Sequence, residues 1–175
     1  MIDQQLKAAV RDIPDFPKKG IVFKDITPLL KDPVLCNAIL DSFVKRLGAH
    51  TIDVVAGIES RGFLFGLMLA NRLGVPFVPI RKQGKLPYQT VTEAYELEYG
   101  KAVIEIHQDA FSQGARVLIH DDLLATGGTV AAASRLVQQL GGVIEGYAFV
   151  INLAFLGGKE RLLPYSPRLI SLADY

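Results

Sequence analysis

The chain has 175 residues, 50% of them hydrophobic and 21% charged, which is the composition of one globular domain over residues 1–175. Its formal net charge of +1 excludes the basic excess that neutralises a nucleic-acid backbone, and its most apolar stretch is too short to span a bilayer. The single cysteine, Cys36, excludes an internal disulfide, and we interpret it as a buried structural thiol in a reducing compartment. We therefore expect a soluble, cytoplasmic protein with neither a nucleic-acid nor a membrane partner.

Two helices and one extended segment are predicted before residue 50. Asp32 supplies an N-cap and Pro33 a first-turn proline for the second helix, and Gly48 ends it. The helices are expected over residues 3–11 and 33–47, and a strand or extended loop over residues 20–25.

From residue 52 onward, apolar strands alternate with amphipathic helices. Pro76 and Pro79 favour a sheet edge or a bulge for the second of these strands, because proline cannot donate to a β-ladder. The alternation predicts an α/β fold, in which a single doubly wound parallel sheet carries helices on both faces. Strands are expected over residues 52–58, 75–80, 115–120, 143–153 and 169–172, helices over 63–73 and 130–140, and an outward hairpin from 91–99 and 102–107.

Residues 117–129 join an apolar strand, two acidic residues and a glycine turn to the start of a helix. Glycines let backbone N–H groups approach an anion closely, and a helix N-terminus adds unpaired donors and a partial positive charge. Asp121 and Asp122 offer carboxylates that accept hydrogen bonds from ribose hydroxyls. We interpret the segment as a site for a sugar phosphate; for the two glycines alone, a plain strand-to-helix turn is the alternative.

Other common catalytic motifs are missing. A P-loop requires G-x-x-x-x-G-K-[ST], but the three Gly-Lys pairs are followed by Leu, Ala and Glu. No two glycines have the G-x-G spacing of a dinucleotide site. The histidines have no metal-ligand spacing and no nucleophile elbow is present, so zinc chemistry and covalent catalysis lack support.

Two further strand ends carry cations. Residues 52–58 lead into Glu59-Ser60-Arg61, and residues 75–80 lead into Arg81, Lys82 and Lys85. Ligands of doubly wound sheets bind at the C-terminal ends of the strands, so these groups are expected to surround a ligand with several phosphates. The alternative for each cation is a solvated surface position.

The segment Val-Leu-Ile-His-Asp-Asp-Leu-Leu-Ala-Thr-Gly-Gly-Thr (117–129) resembles the phosphoribosyl pyrophosphate (PRPP) signature of type I phosphoribosyltransferases. Further segments resemble the adenine phosphoribosyltransferases of that family over nearly the whole chain. They are residues 15–17, 20–25, 60–66, 81–87 and 97–101. The resemblance implies the type I fold with an N-terminal base-binding hood and a flexible flap hairpin. It also implies a purine salvage reaction in which adenine and PRPP give AMP and pyrophosphate.

The same resemblance implies a role for each matching residue. Asp121 and Asp122 are expected to bind the ribose hydroxyls and favour the oxocarbenium-like transition state, and Glu98 to act as general acid/base beside the flap residue Tyr99. Mg²⁺ is expected to be held mainly by substrate oxygens, with no direct protein ligand required. The 5′-phosphate is expected at Ala125, Thr126, Gly127, Gly128 and Thr129, pyrophosphate at Glu59, Ser60, Arg61, Arg81, Lys82 and Lys85, and the base at Val22, Phe23 and Lys24.

Three matters stay open in the sequence. Base choice rests largely on backbone contacts, so a 6-oxopurine phosphoribosyltransferase is an alternative, as is a non-catalytic regulator that senses a nucleotide. His120 occupies a position where an aliphatic residue is expected. Residues 63–70 are apolar nearly all round the predicted helix, so the helix is buried either deeply in the core or against a partner, and we expect a homodimer.

Overall fold

The computed structural model describes residues 1–96 and 100–175. Helix α1 (Ile2–Ala9) is followed by strands β1 (Arg11–Pro14) and β2 (Val22–Asp25), which pair antiparallel. This two-stranded element, here called the hood, agrees with the expected strand over residues 20–25, whereas β1 was not predicted. Helix α2 (Pro33–Leu47) begins as expected, because the Asp32 side chain accepts hydrogen bonds from the N–H groups of Val34 and Leu35.

The remaining strands of the described chain form a seven-stranded sheet in the order β5-β6-β4-β3-β7-β8-β9. Strands β4, β3, β7, β8 and β9 are parallel, and β5 and β6 form the predicted antiparallel hairpin at one side. The elements are β3 (Val54–Ile58), α3 (Gly62–Leu73), β4 (Phe77–Lys82), β5 (Thr90–Glu96), β6 (Lys101–His107), β7 (Arg116–Leu124), α4 (Gly128–Gln139), β8 (Val143–Asn152), α5 (Gly158–Leu162) and β9 (Leu169–Asp174), with 3-10 turns at Leu29–Lys31 and Ala154–Leu156.

Strand β4 lies between β3 and β6, so the edge position predicted from its prolines is wrong. The carbonyls of Pro76 and Ile80 accept hydrogen bonds from the β3 side, which turns Pro79 toward β6. The ladder with β6 begins only at Arg81, beyond the point where Pro79 would have to donate. Proline is therefore tolerated inside this sheet, because its neighbour on that side is not yet paired.

Two apolar cores cover the two faces of the sheet, as the doubly wound fold requires. Helices α1, α2 and α3 pack on one face around Phe43 and Phe65, and α4 packs on the other around Val137. Along β7, Leu118 belongs to the first core and Ile119 to the second, as the alternation of side chains along a strand demands. Among the described helices, none combines the length and apolar character that crossing a bilayer requires.

His120 is fully buried in this sheet, next to the first core. Its ring meets the edge of Phe43 at 5.7 Å between centroids, and a Cβ added at Gly66 would lie 3.2 Å from the imidazole. Within the described chain, neither ring nitrogen makes a hydrogen bond. Burial lowers the pKa of His120 to about 4, so the ring is neutral at physiological pH.

We predict that His120→Leu makes the protein less sensitive to acid. Because the folded-state pKa is lowered, the stability gained from neutral His120 is present above about pH 6.5 and is lost as the pH falls toward 4. The native protein should lose about 2 kcal/mol more than the variant between pH 7 and pH 5, measured by urea unfolding. His50→Leu, at an exposed position, is the control variant. Equal losses of unfolding free energy in the native protein and in His120→Leu would contradict the prediction.

Candidate active site

The three charged segments predicted to converge do so because their strands are neighbours. Strand β3 pairs in parallel with β4 on one side and with β7 on the other. Residues 59–61 after β3, the end of β4 at Lys82, and the end of β7 therefore lie at one edge of the sheet. This edge is the C-terminal one, where ligands of such sheets bind.

The acidic pair, Asp121 and Asp122, lies inside β7 because that strand continues to Leu124, beyond its predicted end. Asp122 has 2% of its surface exposed, and its N–H donates to Oδ1 of Asp121 at 2.9 Å. Burial raises the pKa of Asp121 well above its ordinary value, and the negative charge of Asp122 adds to this effect. Burial also raises the pKa of Asp122, although the positive charge of Arg61 opposes it.

Arg61 connects the acidic pair to the hood. Its Nε lies 3.1 Å from Oδ2 of Asp122, and its guanidinium carbon lies 4.8 Å from the centroid of the Phe23 ring. Its Nη1 is also 3.5 Å from the carbonyl oxygen of Lys24. One side chain of the predicted pyrophosphate segment thus contacts both a predicted ribose-binding carboxylate and the predicted base-binding strand.

Glu59 organises the cations that follow β4. Its Oε2 accepts hydrogen bonds from Nε of Arg81 at 3.1 Å and from the backbone N–H of Lys82 at 3.0 Å. Nη1 of Arg81 in turn donates to the carbonyl of Lys85 at 3.2 Å. A carboxylate repels pyrophosphate, so these contacts give Glu59 a positioning role toward the cations.

Sequence reasoning missed Glu105, which holds the loop that contains Lys85. The Glu105 side chain is buried, and its Oε1 accepts the backbone N–H groups of Lys85 at 2.9 Å and Leu86 at 2.8 Å. Burial by itself would raise the pKa of Glu105, but the N–H groups of residues 84–86 outweigh it, and the pKa is lowered. The available signal was an isolated acidic residue between Ile104 and Ile106.

The predicted phosphate loop, residues 125–129, leads directly into α4, which begins two residues earlier than predicted. Gly127 is left-handed with φ 76°, and no side chain caps the first turn of the helix. The loop also lies against the start of α5, since a Cβ added at Gly158 would stand 2.2 Å from the carbonyl oxygen of Ala125. The N–H groups at this helix terminus suit an anion.

A cavity of about 1040 Å³ extends from the phosphate loop to the hood. Thr126, Gly128 and Thr129 line one part of it, and Val22 and Lys24 line another. Nζ of Lys24 bonds Asp12 at 2.7 Å and lies 4.0 Å from the centroid of the Tyr175 ring, so this side chain is already occupied. The apolar lining was not predicted; it consists of Ile21, Leu153, Phe155 and Leu156, of which Phe155 is 75% exposed.

Not every predicted residue can be placed at this cavity. Glu98 and Tyr99 lie outside the described residues, although Tyr95 and Glu96 of β5 do line it. Several other predicted site residues are also absent from its lining: Phe23, Glu59, Ser60, Arg61, Arg81, Lys82, Lys85, Asp121 and Asp122. Among residues 1–96 and 100–175, no three His, Cys, Asp or Glu side chains form a group that could hold a metal ion.

Comparison with known proteins identifies the family. Residues 33–154 match the phosphoribosyl transferase domain family. The chain is 54% identical to an adenine phosphoribosyltransferase of Cytophaga hutchinsonii, over 100% of this chain and 97% of that protein. It is 51% identical to the enzyme of that name from Thermoanaerobacter pseudethanolicus, with 98% of each chain covered.

Solved structures agree with these sequence matches. The crystal structure of adenine phosphoribosyltransferase from Thermoanaerobacter pseudethanolicus has a TM-score of 0.96, 50% identity and full coverage of both chains. The Saccharomyces cerevisiae adenine phosphoribosyltransferase, solved with an imino-altritol bisphosphate and adenine, has a TM-score of 0.92, 43% identity and 98% coverage of both chains. By sequence over its full length and by fold, this chain belongs to the adenine phosphoribosyltransferase family.

Proposed function

We propose that the cavity is the active site at which this chain converts adenine and PRPP into AMP and pyrophosphate. Membership of the family establishes the purine salvage reaction, and the arrangement of the site supports the residue roles. The observation that carries the proposal is the continuity of one cavity from a helix N-terminus to the hood. Its two ends suit the phosphate and the base of AMP, and the strand that leads into the phosphate loop carries the two carboxylates proposed for the ribose.

The 5′-phosphate is assigned to the phosphate loop. The uncapped first turn of α4 offers backbone N–H groups and the positive end of the helix dipole. Hydroxyls of Thr126 and Thr129 line the same part of the cavity and can donate to phosphate oxygens. Gly127 adopts a positive φ that L side chains rarely adopt, and this turn leads the backbone into the helix N-terminus.

The acidic pair is assigned to the ribose. In the reaction the bond between C1 of PRPP and the pyrophosphate oxygen breaks, and a bond from C1 to N9 of adenine forms. Positive charge develops on the ribose as the leaving group departs, and the negative charges of Asp121 and Asp122 stabilise it. Arg61 neutralises Asp122 in the unliganded protein, so transfer of Arg61 to pyrophosphate would free that carboxylate for the ribose.

Pyrophosphate is assigned to the segment after β3 and to the cations after β4. Arg61, Arg81, Lys82 and Lys85 supply charge, Ser60 supplies a hydroxyl, and Glu59 holds Arg81 in place. Mg²⁺ is proposed to be held mainly by pyrophosphate oxygens and water, in keeping with its usual binding to substrate phosphates. Bound Mg²⁺ would supply positive charge that balances the pyrophosphate.

The base is assigned to the hood end of the cavity. Backbone groups of Val22 and Lys24 are proposed to read the edge of adenine, since the Lys24 side chain is already held by Asp12 and Tyr175. Leu156 and Phe155 offer an apolar surface for the flat ring. Phe23 contributes through its contact with Arg61, and Glu98 is proposed to exchange the proton of the purine nitrogen.

A homodimer is proposed from helix α3. Leu64 and Leu67 are 40% and 57% exposed, although they lie in the most apolar helix of the chain. Such a face is typical of a subunit interface. A monomer in light scattering at micromolar concentration would contradict this assignment. A cytoplasmic location remains a prediction.

The reaction is tested by offering adenine, hypoxanthine and guanine separately with PRPP and Mg²⁺. We expect AMP and pyrophosphate from adenine, detected by chromatography. Turnover of hypoxanthine without adenine would favour the 6-oxopurine alternative. Nucleotide binding without turnover of any base would favour the regulator.

We predict that Glu98→Gln lowers kcat by about 10²–10³-fold, the usual contribution of general acid–base catalysis. Steady-state rates with adenine and PRPP measure the effect. Glu160→Gln is the matched control, because this substitution removes the same charge from an exposed residue of α5. An unchanged rate in Glu98→Gln would remove this residue from the mechanism.

We predict that Asp121→Asn stabilises the unliganded protein at pH 7 while it impairs turnover. The raised pKa of Asp121 means that burial disfavours its ionised form, and an amide removes that charge. Loss of charge-assisted hydrogen bonds to ribose should lower kcat/KM roughly 10- to 100-fold. Urea unfolding and steady-state rates measure the two effects, with Asp109→Asn on an exposed loop as control. An unchanged kcat/KM would contradict the ribose assignment, and a loss of stability would contradict the raised pKa of Asp121.

A further inference from the structure

Helix α5 is fixed against the phosphate loop by close backbone packing. A Cβ added at Gly127 would stand 2.8 Å from the carbonyl oxygen of Gly158, and one added at Gly158 would lie 3.1 Å from the Gly127 nitrogen. Leu162 of the same helix is 1% exposed and packs in the second core. These contacts set the position of the helix relative to the loop.

Arg161 is the residue that α5 brings beside this loop. Its Nη1 lies 3.5 Å from the carbonyl oxygen of Thr126 and would be 3.2 Å from a Cβ added at Gly128. Arg161 lines the same cavity as Thr126, Gly128 and Thr129. The guanidinium is therefore next to the proposed 5′-phosphate site, although neither composition nor motif spacing pointed to it.

Arg161 also differs from Arg61 and Arg81 in its ion pairing. Arg61 faces Asp122 and Arg81 faces Glu59, whereas Arg161 makes no ion pair with any residue in the described ranges. Its long contact with a neutral carbonyl leaves guanidinium donors available. An arginine in this state at the edge of a cavity suits an anion from solution.

We propose that Arg161 binds the 5′-phosphate of PRPP and AMP. The inference rests on the proposed function, because that function assigns the phosphate to residues 125–129. Backbone N–H groups and the helix dipole supply only about half a positive charge, whereas a phosphate monoester carries nearly two negative charges at neutral pH. The planar guanidinium adds a full charge and can donate two parallel hydrogen bonds to phosphate oxygens. Arg161 acts on ligands with this phosphate and leaves adenine and pyrophosphate unaffected.

The test compares Arg161→Gln with Lys159→Gln. The control removes the same charge from another exposed residue of α5. Arg161→Gln should raise the Kd of AMP, measured by calorimetry, and the KM of PRPP roughly 10- to 100-fold. The KM of adenine and the melting temperature of the unliganded protein should stay unchanged. Lys159→Gln should behave as the native protein, and Arg161→Lys should recover part of the AMP affinity because it keeps the charge.

Each other result counts against the assignment. Native affinity for AMP in Arg161→Gln would overturn it, as would a lowered melting temperature with KM of adenine raised as much as KM of PRPP. A lowered melting temperature with both KM values raised equally would mean that Arg161 only holds the Thr126 carbonyl in place. If the native protein forms AMP while Arg161→Gln is unaffected, only this inference fails. If the native protein neither binds nor forms AMP, the proposed function fails with it.

Discussion

Asp122 is a carboxylate with 2% of its surface exposed, and the cation that faces it is Arg61. A buried charge without a partner would cost several kcal/mol, so the pair is needed wherever Asp122 is ionised. Arg61 directly precedes α3, where the helix dipole disfavours a cation, and it also contacts Phe23 of the hood. The ion pair therefore fixes the relative positions of three segments that are distant in sequence.

Glycines at close backbone contacts are as important for this site as its charged side chains. A Cβ at Gly62 would lie 2.9 Å from Oδ1 of Asp121, and one at Gly158 would lie 2.2 Å from the carbonyl of Ala125. A Cβ at Gly57 would lie 2.6 Å from the Phe77 ring. These glycines let the start of α3, the start of α5 and the β3–β4 pair approach their neighbours closely. Larger residues would separate the charged groups that the site needs together.

Much of the fold could be predicted, together with the convergence of the charged segments at one edge of the sheet, because the signals are local. Alternating strands and helices indicate the parallel sheet, and the segment around Gly127 indicates a phosphate site within a few residues. The family's fold and reaction are confirmed by the comparisons. The residue roles, Mg²⁺ and the dimer remain predictions.

What the sequence did not reveal depends on contacts between distant segments. Strand β1 has four residues without apolar alternation, and only its pairing with β2 makes it a strand. The interior place of β4 follows from where the β6 ladder begins, and Glu105 matters through N–H groups about twenty residues away. Leu156 and Arg161 reach the cavity only once the chain after β8 has turned back over the phosphate loop.

The contact of Lys24 with Asp12 and Tyr175 has a consequence for local stability. The hood has mostly exposed residues, so little apolar burial holds it on the sheet, and the residue after β9 supplies one of its few attachments. Regions with few buried contacts open at lower free energy than the core. Brief opening of the hood would therefore disorder the base end of the cavity while α4 and its N-terminus stay folded. Such partly open molecules would still bind the sugar phosphate, although they would no longer recognise the base.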